Sequence, residues 1–132
     1  MKRNYAFSPT LLPVLLAACV FGDAGAQGFD RLAAAAPADR STVERGKALM
    51  GQYQCGSCHM ISEVPAARGR VSQPLDAWSQ RSYIAGRLPN RLDTLAQWIA
   101  APQSLVPGTA MPSMGVSPAD AQAMAAFLFS LE

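Results

Sequence analysis

Charge is scarce in this chain: Asp, Glu, Lys and Arg make up 15% of its 132 residues, well below the usual quarter or so. A disordered acidic tail and a long coiled coil are both excluded by that shortage. The formal net charge of +2 also falls short of the basic excess that a nucleic-acid binder needs. Long apolar runs are missing too. The stretch from Leu11 to Phe21 is interrupted at Pro13 and reaches only about half of the roughly 20 residues that a membrane-crossing helix requires. Histidine occurs once, as His59, and cysteine three times, an odd count. Any site built from soft or imidazole ligands must draw on those few side chains. What is abundant is hydrophobic residues, half of the chain, at a length that allows one domain at most.

Lys2 and Arg3 precede the short apolar run, the pattern of a charged n-region and an h-region, so residues 1–26 are expected to be an export signal. Two processing sites compete. Ala24-Gly25-Ala26 is a small-x-small sequence before Gln27, and Leu16-Ala17-Ala18-Cys19 resembles a bacterial lipobox whose Cys19 would carry lipid. Spacing does not choose between them, and a lipid on Cys19 would be the chain's one link to a membrane. Removing residues 1–26 leaves nine basic and eight acidic residues, a formal charge of +1, and only Cys55 and Cys58. In an oxidising compartment, two cysteines so close together must form a disulfide, a redox dithiol or an attachment point.

Residues 27–41 read as an Ala-rich linker containing Pro37, and the folded domain is expected over 42–132. Ser41-Thr42-Val43-Glu44 fits a capping box opening a helix over 42–54, with Val43, Leu49, Met50 and Tyr53 on its apolar side. Gly46 lies inside that helix, where glycine is unfavourable unless another backbone comes close. From 61 to 74 the composition is that of a loop, and 76–85 is weakly helical. Leu92, Leu95, Trp98 and Ile99 mark a helix over 94–100 that must stop before Pro102. Residues 102–118 hold four Pro and two Gly among seventeen positions, which reads as a stiff, shaped loop without regular structure. A last helix opens at Ser117 with Pro118 at its first position and Asp120 in its first turn, and packs through Met124, Phe127, Leu128 and Leu131. No strand alternation and no internal repeat stands out.

Cys55-Gly56-Ser57-Cys58-His59 is the sharpest signal. Cys-x-x-Cys-His is the attachment signature of a c-type haem. Two thiols one turn apart can each form a thioether to neighbouring edges of one porphyrin while the adjacent imidazole reaches the iron. Small Gly56 and Ser57 are expected to let the backbone lie close to the macrocycle. A redox dithiol would sit at a strand-to-helix turn in a βαβ setting, which this chain does not offer. Zinc needs four ligands, and Cys55, Cys58 and His59 supply three. A plain disulfide leaves the lone histidine at this position unexplained.

A haem iron held by one histidine has a sixth position, filled by protein or left open, and that choice separates carrier from catalyst. Pro107-Gly108-Thr109-Ala110-Met111-Pro112 is the segment in which to seek the sixth ligand, with Met114 three residues on as the competing thioether. Here the chain resembles the class I monohaem cytochrome c family. An N-terminal helix runs into Cys-x-x-Cys-His, followed by the Leu95, Trp98 and Ile99 helix, the Pro-Gly-Thr-x-Met segment and a C-terminal helix with Ala126-Phe127-Leu128. The resemblance implies an all-α cytochrome c fold, three to four helices with long loops around one covalent haem c. Cys55 and Cys58 are then the thioether positions, with His59 and Met111 the axial ligands of the iron. It further implies that the Pro74 carbonyl accepts from His59 Nδ1, that Arg81 meets a haem propionate, that Trp98 and Leu95 wall the pocket, and that Gly46 faces Met124 and Phe127 where the first and last helices cross.

The function implied is one-electron transfer rather than enzymatic catalysis, in the periplasm, soluble or lipid-anchored. The implied partners are a quinol-oxidising cytochrome bc-type complex or a periplasmic dehydrogenase on one side and a haem-copper oxidase on the other. Within the expected domain Lys47 is the sole lysine; Arg68, Arg70, Arg81, Arg87 and Arg91 offer a weaker basic rim for docking. Two other readings remain: a haem subunit permanently docked in a larger oxidoreductase, and a haem enzyme or gas sensor with a displaceable methionine.

Overall fold

The computed structural model describes residues 38–132. The export segment, both processing sites, Cys19 and the linker as far as residue 37 lie outside the described residues. Four helices carry the architecture: α1 (Arg40–Gln52), α2 (Leu92–Ala100), α3 (Pro102–Leu105) and α4 (Pro118–Phe129). Short 3-10 turns occur at Cys55–Ser57 and Trp78–Gln80, and one antiparallel hairpin pairs β1 (Tyr83–Ile84) with β2 (Leu88–Pro89). Among the described residues the architecture is all-α, with little strand. Among the described residues no helix is long and apolar enough to cross a membrane.

Helix α1 begins earlier than its sequence suggests. Its N-cap is Asp39, whose carboxylate accepts from the Thr42 backbone N–H at 3.0 Å and from the Thr42 hydroxyl at 2.8 Å. The capping box expected at Ser41 is not formed, because Asp39 already satisfies the exposed donors of the first turn, and Ser41 instead donates its hydroxyl to Asp39. The folded part therefore starts inside the stretch assigned to the linker. The start of α4 follows the sequence signals: Ser117 Oγ accepts from the Asp120 N–H at 3.1 Å and Pro118 occupies the first turn.

Helix α4 packs against both α1 and α2 and is the centre of the molecule. Covered from two sides, it buries Ala121 and every residue from 123 to 128, far more than the single stripe expected. Gly46 of α1 marks the crossing. A Cβ there would lie 2.0 Å from the Ala123 carbonyl oxygen and 2.8 Å from Phe127 Cβ. The close approach is thus to Ala123 and Phe127, not to Met124. Arg45 of α1 and Tyr53, which caps its C-terminus, both reach Asp120 of α4, Arg45 as an ion pair and the Tyr53 hydroxyl as a donor at 3.0 Å. That accepting carboxylate raises the Tyr53 pKa above its ordinary value.

Two local expectations fail. Residues 76–85 form a 3-10 turn and half of a hairpin, not a weak helix, because Ala85 and Gly86 both adopt positive φ and reverse the chain. Ile84, fully buried, anchors that hairpin in the core. Residues 102–118 contain the short helix α3, since Pro102 at its first position has no N–H to lose and a φ already suited to a helix.

Candidate functional site

The turn after α1 fixes the Cys-x-x-Cys-His segment. Gln54 takes a left-handed conformation and the chain winds into one 3-10 turn, with the His59 N–H donating to the Cys55 carbonyl at 3.0 Å. The loop 67–72 is laced back onto this turn. Gly69 N–H donates to Gly56 O at 2.9 Å and Ser72 N–H to Cys58 O at 3.0 Å. A Cβ on Gly56 would lie 2.3 Å from Ala67 Cα, and one on Gly69 would lie 2.4 Å from the Cys58 carbonyl carbon. Gly56 is small because the 67–69 backbone lies against it, and it does not line the cavity beside Cys55 and His59.

That cavity, about 390 Å³, is lined by Cys55, His59 and Met111 together with an apolar wall that includes Leu75, Trp78, Leu95, Trp98, Ile99 and Leu128. Met111, some fifty residues from His59 in sequence, comes from the stiff loop after α3. Met114 does not line the cavity and is 44% exposed, and Met60 is also exposed. Trp98 and Leu95 both line this cavity. Cys58 sits at the mouth of the same turn, half-buried, outside the lining.

His59 Nδ1 lies 2.7 Å from the carbonyl oxygen of Gln73. A carbonyl can only accept, so Nδ1 carries the hydrogen and Nε2 is left with a free lone pair. The acceptor is thus Gln73 and not Pro74. Pro74 O has another partner, the Arg81 guanidinium, which also donates to Asp76 O at 3.1 Å and stacks over the Trp78 ring at 4.8 Å. Arg81 is not part of the cavity lining: it holds the loop that carries the histidine's acceptor. Sequence reasoning missed Gln73, Trp78 and Asn90. Trp78 is buried, donates its indole N–H to Asn90 Oδ1 at 2.9 Å, and receives on its own carbonyl the Asn90 amide at 2.9 Å.

Cys55 and Cys58 form no disulfide with each other. Burial pushes the Cys55 thiol above its ordinary range, with Cys58 adding to the effect. A redox dithiol needs the opposite shift in its nucleophile. Among the described residues, no three His, Cys, Asp or Glu side chains cluster as a metal-ion ligand set. The donor set instead combines an oriented imidazole, a thioether and two thiols beside an apolar chamber, which suits a flat, hydrophobic, iron-bearing macrocycle.

Residues 43–132 match the family model described as Cytochrome c. The chain belongs to the cytochrome c family. Membership implies haem c as the cofactor and haem-based electron transfer as the activity. The chain is also similar to a protein named cytochrome c oxidase subunit 2 from Alkalihalophilus pseudofirmus, 32% identical over 91 residues. That match covers 68% of this chain and 26% of the relative, so the chain spans about a quarter of the relative's length. No solved structure matches the chain.

Proposed function

We propose that this cytochrome c binds one haem covalently through Cys55 and Cys58, ligates its iron with His59 Nε2 and Met111 Sδ, and serves as a one-electron carrier in a bacterial respiratory chain. The observation that carries this reading is that His59 and Met111 line one apolar cavity beside Cys55. The bound group supplies a reversible one-electron iron couple. The protein's part is to keep the coordination the same in both oxidation states. Gln73 O fixes the imidazole plane and its tautomer; Arg81, through Pro74 O and Asp76 O, fixes the loop behind Gln73. On the other side Met111 offers a neutral, soft donor, which favours the reduced state and raises the potential. Trp78, Leu95, Trp98 and Leu128 exclude water, which favours the less charged state in the same direction.

In this reading the protein is exported to the periplasm, soluble or tethered by lipid at Cys19. It takes electrons from a quinol-oxidising complex or a periplasmic dehydrogenase and passes them to a haem-copper oxidase. A second reading is favoured by the relative's name: a cytochrome c region that never diffuses, built into an oxidase. Co-purification in mild detergent separates the two, since a free carrier does not accompany oxidase chains in fixed ratio. The axial pair is tested by spectroscopy. The ferric protein is expected to show the long-wavelength sulfur-to-iron band, lost in Met111→Ala and kept in Met114→Ala. A wild type without the band whose reduced form binds carbon monoxide at once is a haem enzyme or gas sensor instead.

A further inference from the structure

Helix α3 has only four residues, and one of them reaches the loop that follows it. The Gln103 amide Nε2 donates to Thr109 O at 3.0 Å and to Met111 O at 3.3 Å. The same loop is braced from within: Thr109 N–H donates to Val106 O at 3.1 Å, and Thr109 Oγ1 accepts from Met111 N–H at 3.4 Å. Gly108, with φ of +78°, makes the turn between them. Gln103 itself is exposed and touches neither the cavity nor the core. Its two hydrogen bonds therefore hold one thing, the backbone on either side of Ala110 and hence the place from which the Met111 side chain departs.

We infer that Gln103 is a positioning residue that keeps the Met111 thioether on the distal side of the site and so sets how easily an outside ligand displaces it. The inference rests on the reading of Met111 as an axial ligand. A thioether is neutral and adds no ionic attraction to the metal, so its retention depends on how little freedom the loop gains on releasing it. Without Gln103 both carbonyls turn to water at little loss of global stability, because they lie at the surface, while the detached loop becomes freer. The bound state is then selectively disfavoured. The chemistry required of residue 103 is donation alone. A carboxylate there repels both carbonyls, and a guanidinium restores two donors at similar reach.

The test is titration of the ferric holoprotein with imidazole, following loss of the sulfur-to-iron band, in wild type, Gln103→Ala, Gln103→Glu, Gln103→Arg and the control Gln97→Ala, an exposed glutamine of α2. Imidazole is expected to bind roughly tenfold more tightly to Gln103→Ala and at least as tightly to Gln103→Glu, the scale of losing one or two hydrogen bonds. Gln103→Arg and Gln97→Ala should match wild type, with all thermal midpoints close together. Wild-type imidazole affinity in both Gln103→Ala and Gln103→Glu overturns the inference while leaving Met111 as ligand. A wild type that shows no sulfur-to-iron band overturns the axial assignment itself, and this inference with it. A midpoint lowered as much as the affinity changes would make Gln103 a general stabiliser and also overturn it.

Discussion

His59 and Gln73 are joined by a 2.7 Å hydrogen bond from imidazole Nδ1 to a backbone carbonyl, and Arg81 grips the two carbonyls that flank the next turn, those of Pro74 and Asp76. The His59 imidazole is thus oriented by backbone, and that backbone is oriented by a cation. Arg81→Ala removes both the grip and a positive charge near the cavity wall. The oxidised site, which carries one more positive charge, is then favoured. The reduction potential should fall by on the order of tens of millivolts, and Arg81→Lys, which keeps the charge without the fork, should lie between. A redox titration in which Arg81→Ala matches wild type would contradict this.

The helix crossing predicts a large effect from a small change. At Gly46 an added methyl would sit 2.0 Å from the Ala123 carbonyl oxygen, so α1 and α4 must separate. Gly46→Ala should destabilise the holoprotein by about 3 kcal/mol or more, the upper end for overpacking. Urea denaturation reads this directly, and a loss below about 1 kcal/mol would show that the crossing has slack.

Removing the bound group should unfold the domain. Without it, the apolar wall of a chamber of about 390 Å³ would face water instead of a packing partner, a large loss against the roughly 5–15 kcal/mol that stabilises a whole domain. The double variant Cys55→Ala, Cys58→Ala is therefore expected to lose its cooperative thermal transition and near-ultraviolet dichroism. A sharp native-like transition in that variant would mean that the apolar wall closes on itself.

Acid sensitivity has an identifiable contribution at the N-terminus of α1. The hydroxyls of Ser41 and Thr42 and the Thr42 N–H hold the Asp39 carboxyl at about 2, below its ordinary 3.8. Because the folded value is the lower one, the stabilisation is complete above about pH 4 and is lost as pH falls through about 2. Asp39→Asn should lower the thermal midpoint near neutral pH and narrow its gap to wild type between about pH 4 and about pH 2. A gap that stays constant across that window would place the stabilisation elsewhere.

Asn90 shows why part of the site could not be read in advance. Its side chain pairs with the Trp78 indole and with two carbonyls, those of Trp78 and Arg81. Asn90→Leu leaves the buried indole N–H unpaired and should lower stability by about 1–3 kcal/mol, measurable by urea denaturation of the holoprotein. Nothing marks Asn90 in the sequence, because its role depends on a turn twelve residues away. Motifs in which chemistry is carried by side chains at fixed spacing, such as Cys55 to His59, were legible. So were the end of α2 before Pro102 and the start of α4 at Ser117 and Pro118, whereas α2 begins at Leu92, two residues before the expected 94. The Gln73 acceptor was not, since every residue offers the same carbonyl and only the path of the loop selects one. The hairpin escaped notice because two-residue strands are too short to alternate. Asp39 and Ser41 are equally good cap residues two positions apart, and only the observed first turn separates them.

The most direct measurement of the central claim, that Cys55 and Cys58 hold a single haem, is the intact mass of the protein under denaturing conditions. The wild type is expected to exceed its polypeptide mass by one haem, and the double variant Cys55→Ala, Cys58→Ala to show none. A wild-type mass equal to that of the bare polypeptide would contradict it.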